Sequence, residues 1–256
     1  MSELKTRLRE ILSALAASDV GLRRFGAVQH RYAFAPPIDD RALAAIEHEL
    51  GELPEDYRDH VTRLSAGGVG PYYGLIPVDR AARHLVAAAS GVRAWQRALP
   101  LSHVGCGYAA VLVLDGPARG QVWLDARALG LVMPIRASFT AYFLDWIDRL
   151  STNQWLDGFV PVGACALTAA ITGYLGVCEQ RLGLEPGSIS GQALRDALSD
   201  LPRHAIAIAA EAGSPLFHPG EPVDPCVNCA RSVEGLVRDG LVPDVVAPGV
   251  PPIALR

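Results

Sequence analysis

The sequence has no excess of positive charge. Its 256 residues carry 23 lysines and arginines against 27 aspartates and glutamates, a formal net charge of -4. A protein that grips a phosphate backbone needs a basic field, so this balance argues against general nucleic-acid binding. The first ten residues, Met1 to Glu10, mix charges with leucines and lack the apolar stretch of an export signal, so the expected location is the cytoplasm. Cysteine is sparse and odd in number, five in all, which argues against a disulfide scaffold and for free thiols or a metal site. There is no internal repeat and no low-complexity run, only Pro and Gly enrichment from Pro215 to Pro225 and from Pro243 to Pro252.

With 50% hydrophobic and 20% charged residues the chain lies well inside the folding range, and its length suits one large domain or two small ones. Charge divides it unevenly. Residues 1–155 hold 17 basic and 16 acidic side chains, whereas residues 156–256 hold 6 and 11, so two parts are expected: a first domain and a more acidic accessory region. Gly158 to Cys178 contains no charged residue and is long enough to span a bilayer. Pro161, Gly163, Gly173 and Gly176 interrupt it and no basic cluster flanks it, so a buried core helix is the better reading and no membrane contact is expected.

The first part reads as α+β. Leu4, Leu8, Ile11, Leu12 and Leu15 recur at helical spacing. Asp39 or Asp40 is placed to cap a helix in which Leu43, Ile46 and Leu50 share a face and which Gly51 ends. Pro54 then opens a helix with Tyr57, Val61 and Leu64 inward, closing at Gly67-Gly68. Tyr73 to Val78 reads as a strand, His84 to Arg97 as a helix, and Tyr108 to Leu114 with Gln121 to Asp125 as a hairpin about the Asp115–Gly120 turn. Phe139, Tyr142, Phe143, Trp146, Ile147 and Leu150 stripe a closing helix. The second part reads as mainly helical: about Ala164 to Leu182, Gly191 to Leu201, His204 to Ala212 and Cys226 to Asp239.

Three stretches carry a family resemblance: Leu50-Gly51-Glu52-Leu53-Pro54-Glu55-Asp56-Tyr57-Arg58, then Ala66-Gly67-Gly68-Val69-Gly70-Pro71-Tyr72-Tyr73-Gly74-Leu75, then Gly120-Gln121-Val122-Trp123-Leu124-Asp125. They are similar to the Leu-Gly-x-x-Leu-Pro-x-x-Tyr, Asn-Gly-Gly and Gly-x-Val-Trp signatures of the SUKH superfamily, over about residues 25–150. Ala66 departs from the family's asparagine, so the side-chain turn bond expected there is absent. The resemblance implies a mixed sheet flanked by helices and a binding function. The superfamily's bacterial members are immunity proteins against polymorphic toxins, and its fungal members regulate cell-wall synthesis.

Residues 39–59 set Asp39, Asp40, Glu47, Glu49, Glu52, Glu55, Asp56 and Asp59 against only Arg41 and Arg58, a local balance of -6. Such a run is either a solvated helix face or, if the partner has a basic cleft, a surface that steers association and fills that cleft in place of phosphate. Tyr72 and Tyr73, at the edge of the glycine turn, are candidate interface anchors, with core packing an equal reading for Tyr73. Partner contact is thus assigned to Glu47, Glu49, Glu52, Glu55, Asp56, Asp59, Tyr72 and Tyr73. Gly67-Gly68-Val69-Gly70 closes a helix and no Lys-Ser/Thr follows, so it is no phosphate loop. His30, His48, His60, His84 and His103 stand in no recognisable nucleophile motif, and no catalytic residue is assigned.

Pro225-Cys226-Val227-Asn228-Cys229 matches the second half of a zinc-deaminase signature, but no His-x-Glu or Cys-x-Glu precedes it, and Ala209-Ala210-Glu211 has alanine where the ligand should be. Cys226 and Cys229 either hold a structural zinc with two of Cys165, Cys178, His204 and His218, or are plain thiols at a helix start. No other cofactor is expected. The expected function is a non-enzymatic immunity protein that occludes the active site of a cognate toxin. A degenerate deaminase-like zinc protein and a regulatory scaffold are the alternatives.

Overall fold

The computed structural model describes residues 2–22, 24, 26–151, 166–200 and 214–218. Helix α1 (Ser2–Ser18) lays Leu8, Leu12 and Leu15 on the core. A short helix α2 (Ala27–His30) leads to α3 (Asp40–Leu50), whose first turn is capped by Asp39: its carboxylate accepts the Ala42 N–H at 2.8 Å. Leu43, Ile46 and Leu50 are buried, as their spacing requires. Pro54 precedes α4 (Glu55–Arg63), which buries Tyr57, His60 and Val61.

The Gly67-Gly68 corner that follows is where the chain crosses itself. Gly68, at φ +90°, bridges Phe34 on one side and Leu75 on the other, and a Cβ there would lie 2.6 Å from the Ala33 carbonyl oxygen. The side-chain turn bond lost at Ala66 is supplied one residue earlier. The fully buried Ser65 hydroxyl accepts the Gly67 N–H at 3.2 Å, and its single proton lies within hydrogen-bond reach of the Ala35 and Gly67 carbonyls.

Tyr73 to Val78 forms no strand, contrary to expectation. Leu75 makes only isolated bridges to Gly68 and Ser102, and Pro77 sets the first turn of helix α5 (Val78–Ala82). Nor is His84 to Arg97 a helix. It holds the two-residue strand β1 (Val86–Ala87) and a loop that buries Trp95 before β2 (Arg97–Gly105) begins. β3 (Tyr108–Val113) and β4 (Val122–Ala126) form the expected hairpin, and β5 (Leu131–Arg136) completes a sheet ordered β1-β2-β3-β4-β5. The α+β class and the flanking helices are as expected, while every pairing in the sheet, expected to be mixed, is antiparallel.

Along β3 the side chains alternate between two cores. Ala110 and Leu112 join Leu99, Leu101, Val122 and Leu124 under α1, α3, α4 and the closing helix α6 (Phe139–Ser151). Ala109, Val111 and Val113 face the other way, with Val86, Trp95, Ala98 and Ala118. Both faces of the central strands are therefore covered. Beyond this body, α7 (Ala166–Leu182) and α8 (Gly191–Asp200) match the expected second-part helices in position, but α7 is not the buried core helix expected there: over residues 174–182 Val177 and Leu182 are exposed and only Glu179 is buried. The connection between them is held by Glu179, whose carboxylate accepts the N–H groups of Gly187 and Ile189, each at 2.9 Å. The helices expected at His204–Ala212 and Cys226–Asp239, and the boundary at 155/156, lie outside the described residues. Among the described residues no helix is long and apolar enough to cross a membrane.

Candidate functional site

The acidic surface is built by α3, α4 and the turn between them, and the structure sorts its carboxylates into two groups. Glu47 is structural: it accepts the Leu53 N–H at 3.0 Å and pairs with Arg58 at 3.3 Å, with its side chain 16% exposed. Asp56 is also committed, accepting the Tyr57 N–H at 2.9 Å through one oxygen and the Thr140 N–H at 2.8 Å through the other. Asp59 pairs with Arg63 one turn on, at 3.4 Å.

Asp40, Glu49 and Glu55 are exposed and have no ion-pair partner among the described residues. Glu52, 75% exposed, reaches Arg58 only at 4.0 Å. An exposed pair at that distance contributes little to stability, so Glu52 stays available to another cation. The turn carrying these acids is pinned by a residue far away in sequence. Arg119, in the β3–β4 turn, donates to the Glu52 carbonyl oxygen at 2.7 Å. Glu49, Glu52 and Glu55 are thereby presented from a fixed backbone.

The two tyrosines part company. Tyr72, expected at an exposed edge, is buried at 4% exposure: it sits at φ 56° in a turn closed by Gly74 N–H donating to the Pro71 carbonyl, which folds its ring into the main core. Its backbone is also packed from behind, since a Cβ on Gly26 would fall 1.8 Å from the Tyr72 oxygen. Tyr72 is therefore not a surface anchor. Tyr73 is half-buried, stacked on the His103 ring with centroids 5.3 Å apart.

Of the three buried histidines among the described residues, His30 and His60 behave alike. His60 lies edge-on to Phe139 and Phe143, with centroids 4.8 and 4.9 Å away, and its Nε2 has no hydrogen-bond partner among the described residues. Burial pushes its pKa down to about 4. His30 accepts the Tyr32 N–H on Nδ1 at 3.1 Å, and burial lowers its pKa to about 4 against the opposing pull of Asp19. Their neutral rings are part of the core, and the apolar spacing around them in the sequence is the signal that points there.

Of the candidate zinc ligands, Cys178 is half-buried on α7 and His218 is exposed, while Cys165, His204, Cys226 and Cys229 lie outside the described residues. Among the described residues no group of three or more His, Cys, Asp or Glu is placed to hold a metal ion.

Residues 37–145 match the SMI1 / KNR4 family (SUKH-1). The resemblance carried by the Leu-Pro-x-x-Tyr, Gly-Gly and Val-Trp stretches is thus shown over the span that contains α3 to β5 and most of α6. No curated protein and no solved structure gives a significant match to the chain. The family is consistent with toxin immunity or a regulatory role, its members are generally non-enzymatic, and it points to protein–protein interaction.

Proposed function

We propose that this chain is an immunity protein: its SUKH-1 stretch binds a cognate toxin domain and occludes a basic active-site cleft with the α3–α4 acidic surface. The observation that carries the reading is the set of Glu49, Glu52 and Glu55, exposed and weakly paired on a turn fixed by Arg119, within a domain of a binding family. Exposed, weakly paired carboxylates on a fixed backbone offer a basic cleft the charge it normally receives from substrate phosphate, at little cost in backbone reordering.

Other modes of attachment have less support. Strand addition is disfavoured at both sheet edges, because β1 is two residues long and β5 carries Pro134, which has no N–H to donate. The cytoplasm, where such a toxin acts, is the compartment this reading assigns.

The test is co-expression with any toxin domain found encoded beside the chain's gene. Growth should be restored and the two proteins should co-elute as a stable complex. Rescue with no complex would rule out occlusion, and failure to rescue any neighbouring toxin would rule out immunity.

A further inference from the structure

The second face of the sheet is touched by a segment that the family match does not include. Ser214 to His218 lies more than sixty residues beyond the matched span, yet it packs on the SUKH-1 stretch at three points. The Ser214 hydroxyl donates to the Gly107 carbonyl at 2.7 Å, in the tight β2–β3 turn where Gly105, Cys106 and Gly107 all have positive φ. The same hydroxyl oxygen accepts the N–H groups of Leu216 and Phe217 at 3.4 and 3.3 Å, which curls the segment into a compact turn. That turn aims two apolar side chains at the sheet. Leu216 packs on the second core, with Trp95, Val111 and their neighbours. Phe217, 9% exposed, meets the His103 ring edge-on at 4.7 Å, and that ring is stacked in turn on Tyr73.

We infer that Ser214, Leu216 and Phe217 form an intramolecular latch that docks the segment of residues 214–218 on the second face of the SUKH-1 sheet. The occupant of this face is the chain itself. One hydroxyl fixes the turn at the sheet's end, one aliphatic side chain fills the apolar surface, and one aromatic ring closes the Tyr73–His103 stack. The contact is small beside the main core, which the helices cover from the opposite side, so its loss should release the strap and leave the domain folded. A partner is then confined to the helical side while the latch is closed. This inference stands independently of the toxin reading, because it concerns only how the chain binds itself.

Hydrogen–deuterium exchange on the full-length chain tests it, with Phe217→Ala and Ser214→Ala as separate variants. The latch predicts at least tenfold faster exchange in the peptide spanning His103–Ala109 and in the peptide containing residue 217. It also predicts unchanged protection in β4 and α6. Wild-type exchange at His103–Ala109 in both variants would overturn the latch, since the segment would then hold nothing. Loss of protection throughout the sheet in both variants would also overturn it, because the segment would be part of one cooperative core. Ser214→Ala removes only a hydroxyl, so it remains informative if the larger Phe217 truncation disturbs folding.

Discussion

The Thr140 N–H in the first turn of α6 donates to Asp56 at 2.8 Å, so a carboxylate from the acidic run of α4 caps the closing helix. That relationship separates charge that serves the fold from charge that is free for a partner. A charge count along the sequence treats Asp56 and Glu55 alike. Only Glu55 is left exposed without an ion-pair partner among the described residues.

Asp56→Ala should therefore destabilise the protein by about 1 kcal/mol, the usual cost of a lost helix cap. Glu55→Ala should fall within about 0.5 kcal/mol of wild type, as for an ordinary surface change. Urea unfolding of the two variants checks the contrast, and equal losses would contradict the division.

Ser65→Ala should cost about 1–3 kcal/mol, because it leaves the buried Gly67 N–H without its acceptor at a corner where Gly68 has no room to relax. Ser65→Ala combined with Ala66→Asn, which restores the family's residue at the turn, should recover part of the loss in the same urea titration.

Acid should weaken the fold through His30 and His60. Both have folded pKa values near 4, below the ordinary value of 6.5, so between about pH 6.5 and 4 the unfolded chain binds protons that the folded chain refuses. Stability then falls as pH falls, by about 1.4 kcal/mol per pH unit for each histidine inside that window. Replacing His60 with leucine should remove about half of the slope contributed by the pair and should cost little at pH 7, since its Nε2 has no bond to lose among the described residues. Thermal melts across the window check this, and an unchanged slope in the variant would assign the acid limb to other groups.

The legibility of the fold follows from which forces set each element. α1, α3, α4 and α6 have a one-faced apolar stripe and their own start and stop residues, so local sequence suffices to place them. β3 and β4 stand out because valine and leucine alternate across a glycine turn. His84–Arg97 misleads because Leu85, Val86 and Ala87 to Ala89 suit a helix, whereas pairing of Val86 with Ala98 and burial of Trp95 on the second face decide otherwise. β5 is hidden by Pro134, a residue tolerated only because the strand lies at the edge.

At the candidate site, composition locates the acidic run but not its division. Glu47 and Asp56 find their partners at Arg58 and Thr140 through tertiary contacts that no spacing encodes. Tyr72 is turned inward by a left-handed backbone conformation that a tyrosine rarely adopts and its sequence does not announce. Ser214 and Phe217, more than a hundred residues from the turn and ring they meet, belong to the same class.

The central claim is that exposed, weakly paired carboxylates on the α3–α4 turn steer and fill a basic cleft. Its most direct measurement is the association rate of the chain with the toxin domain it neutralises, taken across ionic strength for wild type and for the combined variant Glu49→Lys, Glu52→Lys and Glu55→Lys. Asp56 is left in place, so the α6 cap and the fold are kept. The account predicts association slower by about tenfold or more at low salt, with most of the salt dependence gone. Wild-type rates and salt dependence in the folded triple variant would contradict it and return the acidic run to a merely solvated surface.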